Sequence, residues 1–404
     1  MSIVRFVALA ALLVTVCVPA DAQTVPPRGA DATFDVATWN LKFFGEPTMA
    51  PSNDAVQLQN VLAVMRQAEI DLWALQEVVD TSTDGEWNTL RSTLRDELGY
   101  GAYLGPEVSS NPTFDQRLAF IYDRSVVRPV RTQTILESEA YEFGYRLPLE
   151  MQATVTVDGV SRTIYVINFH AKASTGSEDY ARRLAAAGAL KDYVDERIAR
   201  GEEVVVLGDF NDYLVGSTRS GQASPYDVFV QDAGYVAATL PLQQSGGYTY
   251  CRSATCNSGD TRDHILFTAG LSDLFAEADR YGQLITSVPS YVSSTSDHLP
   301  ALARFAFMPT AADDGPEADR VALLDPAPSP FRGHTRLRFR LDAASDVRLE
   351  VFDALGRRVA SLAGSFGEGE HAVPLDGRDL RPGLYVVRLT AGGEVHARPV
   401  VRAE

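Results

Sequence analysis

Cysteine is scarce, with three in 404 residues at Cys17, Cys251 and Cys256. A Cys-based zinc site needs four ligands, and beyond Cys251 and Cys256 only His264 lies within range. Basic charge is also in short supply. Against 53 acidic residues stand 36 basic ones, for a net charge of −17. Such a balance excludes broad electrostatic attraction to nucleic acid or to an anionic membrane. It leaves open a phosphate substrate held through divalent cations, which supply positive charge locally. After the N-terminal segment no apolar run approaches the length of a membrane span. A Gly-x-Ser-x-Gly elbow is absent too, so nothing calls for a covalent serine nucleophile.

The first residues, MSIVRFVALAALLVTVCVPADA, place Arg5 before an apolar stretch and close on Ala20-Asp21-Ala22. This is the pattern of a secretory signal peptide spanning residues 1–22, with cleavage after Ala22. A lipid-anchored Cys17 is the alternative, but Thr15-Val16 lacks the small residue expected just before it. Export would leave Cys251 and Cys256 in an oxidising compartment. With four residues between them in a Gly/Ser-rich loop, they are expected to form a disulfide.

Residues 309–320 (PTAADDGPEADR) are polar and aperiodic, as a linker is. On its N-terminal side, residues 23–308 interleave strand and helix patterns. Strands are expected at 34–39, 70–79, 118–122, 163–169, 204–207, 264–267 and 301–307, and helices at 54–68, 87–98 and 178–199. That alternation favours a layered α/β domain. Residues 321–404 carry 12 Arg, no Lys and 11 Asp plus Glu, so the negative excess lies elsewhere. Short alternating runs such as Thr335–Leu341 and Val347–Val351, with turns such as Gly392-Gly393, predict a small all-β sandwich. Without clustered Asp, Glu and His, it is a poor place for catalysis.

Polar residues gather where the predicted strands end. Val204–Leu207 reads as a strand covered on both faces, yet it runs directly into Gly208-Asp209-Phe210-Asn211-Asp212. Alone, that would be a turn. The same event recurs at Trp39-Asn40, Gln76-Glu77, Asn168-Phe169-His170, Asp263-His264 and Ser296-Asp297-His298. Three of the six histidines sit at these edges. The residue types suit hydrolysis of a phosphate ester. Glu77 and Asn40 offer hard oxygen ligands for Mg²⁺. Asp209 and Asn211 can orient a water and hold a phosphate oxygen. His298 can act as acid or base if a carboxylate such as Asp263 fixes its tautomer, and His170 can donate to the phosphate or the leaving oxygen. Asp212 finds no partner in this pattern and reads as turn or cap.

The ordered motifs Trp39-Asn40-Leu41, Gln76-Glu77-Val78, Asn168-Phe169-His170, Gly208-Asp209-Phe210-Asn211, Arg262-Asp263-His264 and Ser296-Asp297-His298 resemble those of the endonuclease/exonuclease/phosphatase superfamily, the group of deoxyribonuclease I. The resemblance spans residues 34–307. It implies a four-layer α/β sandwich with two central mixed β-sheets, and metal-dependent hydrolysis of phosphodiesters or phosphomonoesters. It further implies that Asn40 and Glu77 bind Mg²⁺ or Mn²⁺, that Asp297 supports the metal or the nucleophile, and that Asp263 pairs with His298. It admits a structural Ca²⁺ as well. Arg117 and Lys172 are candidate contacts to substrate phosphate. His264 departs from the aromatic residue often found after the Asp and reads as structural. The run Asn168–Ala173 followed by Asp179–Arg183 looks most like the secreted bacterial nucleases, which give 5′-phosphate ends. A sphingomyelinase-like phospholipid phosphodiesterase or an inositol-phosphatase-like enzyme is the alternative within the superfamily, and a non-catalytic surface-binding protein on the same fold is the alternative outside it. The expected chain is a monomer.

Asp325–Phe331, Val351–Arg357 and Pro382–Arg388 resemble the C-terminal sorting domain of the type IX secretion system. That implies a route through the periplasm of an outer-membrane bacterium to release or surface attachment, with the secretion machinery as partner. An ordinary accessory β-sandwich is the alternative.

Overall fold

The computed structural model describes residues 24–307 and 321–403, apart from residues 31, 80–81, 83–84, 108–115, 354–356 and 393. The expected signal peptide and linker lie outside the described residues. The described chain separates into two compact units, one ending at Phe307 and the other beginning at Val321.

In the first unit, β1 (Phe34–Phe44), β2 (Leu72–Val78), β3 (Gly101–Leu104) and β4 (Arg117–Tyr122) lie in one sheet, and β5 (Val127–Thr134), β6 (Leu149–Val157), β7 (Val160–His170), β8 (Glu203–Asp209) and β9 (Tyr235–Ala237) in another. A small hairpin of β10 (Tyr250–Cys251) and β11 (Gly259–Asp260) stands apart from both. β12 (Asp263–Thr268) joins the second sheet, whereas β13 (Phe275–Arg280) and β14 (Ala301–Phe305) join the first. The strand orders are β13-β14-β1-β2-β4-β3 and β5-β6-β7-β8-β12-β9. Both sheets are mixed: β1 runs parallel to β2 and β7 to β8, and the other pairings are antiparallel.

The two-residue period of a strand sorts these sequences into layers. Val36, Leu72, Ala74, Val166, Val205, Leu207, Ile265 and Phe267 pack together between the sheets. Trp39, Trp73 and Leu75 turn outward to meet Val61, Met65, Leu90 and Leu94 of helices α1 (Asp54–Gln67) and α2 (Glu86–Leu98). On the opposite flank Tyr165, Ile167, Val204 and Val206 meet Ala186, Leu190 and Val194 of α3 (Ser177–Ala199). The result is the four-layer α/β sandwich expected. Burying each large apolar side chain in these layers contributes roughly 1.5–3 kcal/mol.

Strands β5, β6 and β13 were not among those expected from the sequence. β5 carries Pro129 and three exposed side chains at the sheet edge, and β13 is largely polar and also an edge strand. Neither presents the apolar period on which the prediction relies. In the second unit, the strictly alternating burial of His334–Leu341 matches its sequence pattern. Two facing sheets enclose Leu337, Phe339, Leu349, Val387 and Leu389, giving the expected all-β sandwich.

Asp212 is no mere turn residue. Its carboxylate is fully buried, with Oδ2 3.0 Å from Arg183 Nε and 2.9 Å from Nη2. Arg183, also fully buried on α3, donates through Nη1 to the carbonyls of Lys172 (2.8 Å) and Ser174 (2.7 Å). The amides of Tyr213 and Thr218 complete the shell by donating to Oδ1. One ion pair thus ties the loops leaving β7 and β8 to a single helix. Sequence could not show this, because the partners are 29 residues apart with no shared periodicity. Arg183→Met leaves Asp212 charged and uncompensated, and is expected to cost about 3–5 kcal/mol in urea unfolding. A loss below about 1 kcal/mol would show that the pair does not hold these loops.

Candidate active site

The layer between the sheets is apolar until the last residues of its strands. Following the inward face, the regular part of β1 ends on Asn40, β7 ends on Asn168 and His170, β8 on Asp209, and β12 begins on Asp263. Register aligns them, with His170 beside Asp209 in the parallel pair and Asp209 opposite Asp263 in the antiparallel one. His170, Asp209 and Asp263 therefore form a row across three strands. His264, one residue on, points to the other face, as expected of a structural residue. Its Nδ1 lies 3.0 Å from Thr239 Oγ1, while Nε2 lies 3.2 and 3.1 Å from the carbonyls of Asp212 and Thr261. Two carbonyl acceptors require Nε2 to carry the proton, and burial lowers this ring to about 4, so it stays neutral.

Glu77 breaks the alternation, and backbone conformation explains how. Leu75 and Val78, three apart, both face the helices, which a regular strand cannot arrange. The extra residue is taken up at Glu77, whose φ is +60°, where the pairing of β2 with β4 is irregular. Its carboxylate is thereby aimed at the row on the opposite sheet. β1 bulges likewise, with Lys42 and Phe43 at φ +51° and +49°. Their amides donate to Asn40 Oδ1 (2.9 Å) and Glu77 Oε2 (3.0 Å). Gly208 permits the close approach beneath Asp209, since a Cβ there would come within 1.9 Å of the Phe169 carbonyl oxygen.

The contacts within the site are short. Asn40 Nδ2 donates to Glu77 Oε1 (3.1 Å) and Asp209 Oδ2 (3.0 Å). His170 Nε2 is 3.8 Å from Glu77 Oε1 and 3.4 Å from Asp209 Oδ2. His298 Nδ1 donates to Asp263 Oδ2 at 2.8 Å, and its Nε2 lies 3.9 Å from Asp209 Oδ2. Asn211, at φ +51°, donates from its amide N to Asp209 Oδ1 (2.9 Å) and from Nδ2 to the Ala171 carbonyl (3.1 Å). Asp263 Oδ1 and His170 Nδ1 are buried without a hydrogen-bond partner.

Electrostatics separates the two histidines. Burial lowers both, and for His170 the nearby Arg146, His298 and Lys172 add to it, holding the ring well below its ordinary value. For His298 the carboxylates of Asp263 and Asp209 outweigh burial and raise it to about 10. Burial raises Asp209 to about 6 against the opposing pull of His298. One ring is thus neutral and the other charged at neutral pH.

Ligand atoms of Asp209, Asp263 and His298 all lie within 4.8 Å of one another, a grouping able to hold a metal ion. It differs from the set Asn40, Glu77 and Asp297 expected from sequence. Asn40 and Glu77 border it through Asp209, whereas Asp297 accepts a 2.7 Å contact from Lys42 Nζ. Lys172 pairs with Asp179 (3.0 Å) and Arg117 with Glu107 (3.0 Å), so each candidate phosphate contact already has an acidic partner. The sequence reading passed over Arg146, just before β6. Its Nη2 donates to the Ala171 carbonyl (2.8 Å), Nε to that of His170 (3.3 Å) and Nη1 to Gln116 Oε1 (2.9 Å). Burial lowers this guanidinium while Glu77 and Asp209 pull it back up. Nothing in Tyr145-Arg146-Leu147-Pro148 marks it in advance. Cys251 and Cys256 are joined in the expected disulfide.

Buried carboxylates able to hold a cation, beside one neutral and one protonated histidine, are equipped for phosphate ester chemistry, and comparison with known proteins agrees. Residues 37–298 match the Endonuclease/Exonuclease/phosphatase family, and residues 327–402 match the secretion system C-terminal sorting domain. Among solved structures, an endonuclease/exonuclease/phosphatase from Beutenbergia cavernae DSM 12333 is 17% identical over 92% of this chain and 100% of its own, with a TM-score of 0.47. A 3′-5′ exonuclease from Neisseria meningitidis is 19% identical over 68% and 100% (TM-score 0.49), and the human Nocturnin catalytic domain 18% identical over 70% and 100% (TM-score 0.46). No curated protein matches the sequence. The family match covers most of the first unit and every motif at its strand ends, so this chain belongs to the endonuclease/exonuclease/phosphatase family, with a type IX sorting domain at its C-terminus.

Proposed function

We propose that the chain is an exported phosphodiesterase that cleaves the nucleic-acid backbone by direct attack of water, with Mg²⁺ or Mn²⁺ as cofactor, leaving 5′-phosphate ends. The observation that carries this reading is the row His170, Asp209 and Asp263, faced by Asn40 and Glu77 from the other sheet and completed by His298 on Asp263. The donors fit a hard divalent cation. Glu77 and Asp209 are carboxylates, Asn40 is an amide, and Asp263 keeps one buried oxygen without a partner. Asn40 and Glu77, with Asp209 beside them, would hold the ion. When bound, such a cation polarises a phosphoryl oxygen and steadies the leaving oxygen.

The remaining steps belong to the protein's own residues. Asp209, raised to about 6, is ionised at neutral pH yet basic enough to take a proton from the attacking water. Asn211, fixed by Asp209 and the Ala171 carbonyl, orients that water and a phosphate oxygen. His298 is held as an imidazolium by Asp263, so its Nε2 donates to the phosphate rather than accepting a proton. Neutral His170 donates from the opposite side without adding charge. Arg146, with its guanidinium nitrogens on the His170 and Ala171 carbonyls, keeps that strand end in place.

Glu77→Ala and His298→Ala are each expected to lower kcat/KM by roughly a thousandfold, with an unchanged circular dichroism spectrum. The assay is an EDTA-controlled panel of DNA, RNA, sphingomyelin and inositol phosphates. Near-normal turnover in either variant would undo the site assignment, and cleavage of lipid alone would move the substrate to another branch. The charge states give a further test. In EDTA-treated protein, nuclear magnetic resonance should show the His298 ring still protonated at pH 8, since a pKa raised to about 10 keeps the cation through that range. A midpoint below 7 would instead make His298 the proton acceptor. Deleting residues 321–404 should leave hydrolysis in vitro intact while blocking export. A folded truncation without activity would make the tail a substrate module.

A further inference from the structure

The β10–β11 hairpin belongs to neither sheet, yet it touches both halves of the Asp263–His298 pair. Thr249, fully buried just before β10, is where these contacts meet. Its Oγ1 accepts hydrogen bonds from the backbone amides of Asp263 (2.9 Å) and Arg262 (3.0 Å). Its carbonyl accepts from the amide of Leu299 (2.6 Å), directly after His298, and its own amide donates to the Asp260 carbonyl (2.9 Å). On the other side of His298, the Cys251 amide donates to the Asp297 carbonyl (2.7 Å). Between them the Tyr250 ring lies against the His298 imidazole, with centroids 5.1 Å apart, and Arg262 stacks over Tyr250 at 4.1 Å. Asp263 begins β12 in one sheet, whereas His298, 35 residues on, lies in the segment leading into β14 of the other, so neither sheet alone fixes their spacing.

We infer that Thr249 is a positioning residue: through its hydroxyl and carbonyl it sets the Asp263–His298 distance on which turnover depends. The inference builds on the function proposed above, but its geometry does not require a particular substrate. A side-chain hydroxyl holding one partner's backbone and a carbonyl holding the other's make the separation of the pair a property of one buried residue. Since Thr249 does not face the site itself, its loss should appear in kcat and leave KM alone.

The test compares Thr249→Val, which keeps the shape and removes the hydroxyl, with Thr249→Ser, which restores it. Thr249→Val is expected to lower kcat by roughly 10- to 100-fold with KM within about twofold, as displacement of a catalytic group does. It should also abolish the low-field proton resonance of His298 Nδ1, recorded without metal or substrate. Thr249→Ser should recover both. The resonance is read on the unloaded protein, so a chain that cleaves no phosphodiester would still report on the positioning. A Thr249→Val protein that keeps the resonance and its kcat overturns the inference. So does a folded Thr249→Ser protein that lacks the resonance, even if Thr249→Val does not fold.

Discussion

The hydrogen bond from Gln76 Nε2 to Asn168 Oδ1, 2.7 Å long and fully buried, crosses from one sheet to the other directly beneath the site. Two polar side chains in an apolar layer must satisfy each other or cost several kcal/mol. Here they nearly do. Gln76 Nε2 also reaches Thr38 Oγ1, and Asn168 Nδ2 donates to the carbonyls of Leu75 and Ala119. These contacts bind β1, β2 and β4 to β7 at one level of the sandwich. Below that level, packing of Val and Leu fixes the spacing only loosely. At that level direct hydrogen bonds fix it, and one residue further along Asn40 and Glu77 come within about 4 Å of Asp209 and His170. The site can be this compact because the floor beneath it is a hydrogen-bonded bridge.

Above the floor, regular backbone would not deliver the side chains. Lys42, Phe43, Glu77 and Asn211 all have positive φ without being glycine, and each lies in the site or contacts it. Such conformations cost of order 1–3 kcal/mol each and persist where the surroundings hold them. The surroundings here are the two carboxyl or amide groups that Lys42 and Phe43 cap with their own amides, and the regular sheets on which the bulges sit. The Arg183–Asp212 pair plays the same part for the loops after β7 and β8. Rigidity comes from below and behind, and the irregular backbone at Lys42, Phe43, Glu77 and Asn211 lies on the reactive rim.

The division between floor and rim also explains what could be read from the sequence. Inward-facing strand residues announce themselves by period, so the strands carrying Asn40, His170, Asp209 and Asp263 were legible, as was the sudden polarity at their ends. The alternation of helix and strand patterns pointed to a layered α/β domain, and the four-layer order was what the family resemblance implied. Edge strands β5 and β13 were not legible, because a strand with one neighbour needs no apolar period. Nor were groups whose importance comes from distant partners. Asp212 looked like a turn until Arg183 was seen against it. Arg146 sits in an unremarkable loop and acquires meaning only through the carbonyls of His170 and Ala171. Arg117 and Lys172 were named from local motifs, and a local motif does not show the acid beside each, Glu107 and Asp179.

A net charge of −17 is at first sight at odds with the nucleic-acid substrate proposed above. The site resolves this locally rather than globally. Buried Glu77, Asp209 and Asp263 are accompanied by one imidazolium, His298, while His170 is kept neutral by its own burial and by neighbouring cations. Asp209 is raised by its burial and by the neighbouring carboxylate of Asp263, against the opposing pull of His298. The divalent cation proposed for the site would supply positive charge where a phosphate would sit, so attraction need not be spread over the surface. For the proposed nucleic-acid substrate, negative charge elsewhere would then discourage unproductive adsorption and leave the ion's site as the favoured point of contact. On this view the acidic surface and the acidic site serve one end: both make binding conditional on the ion.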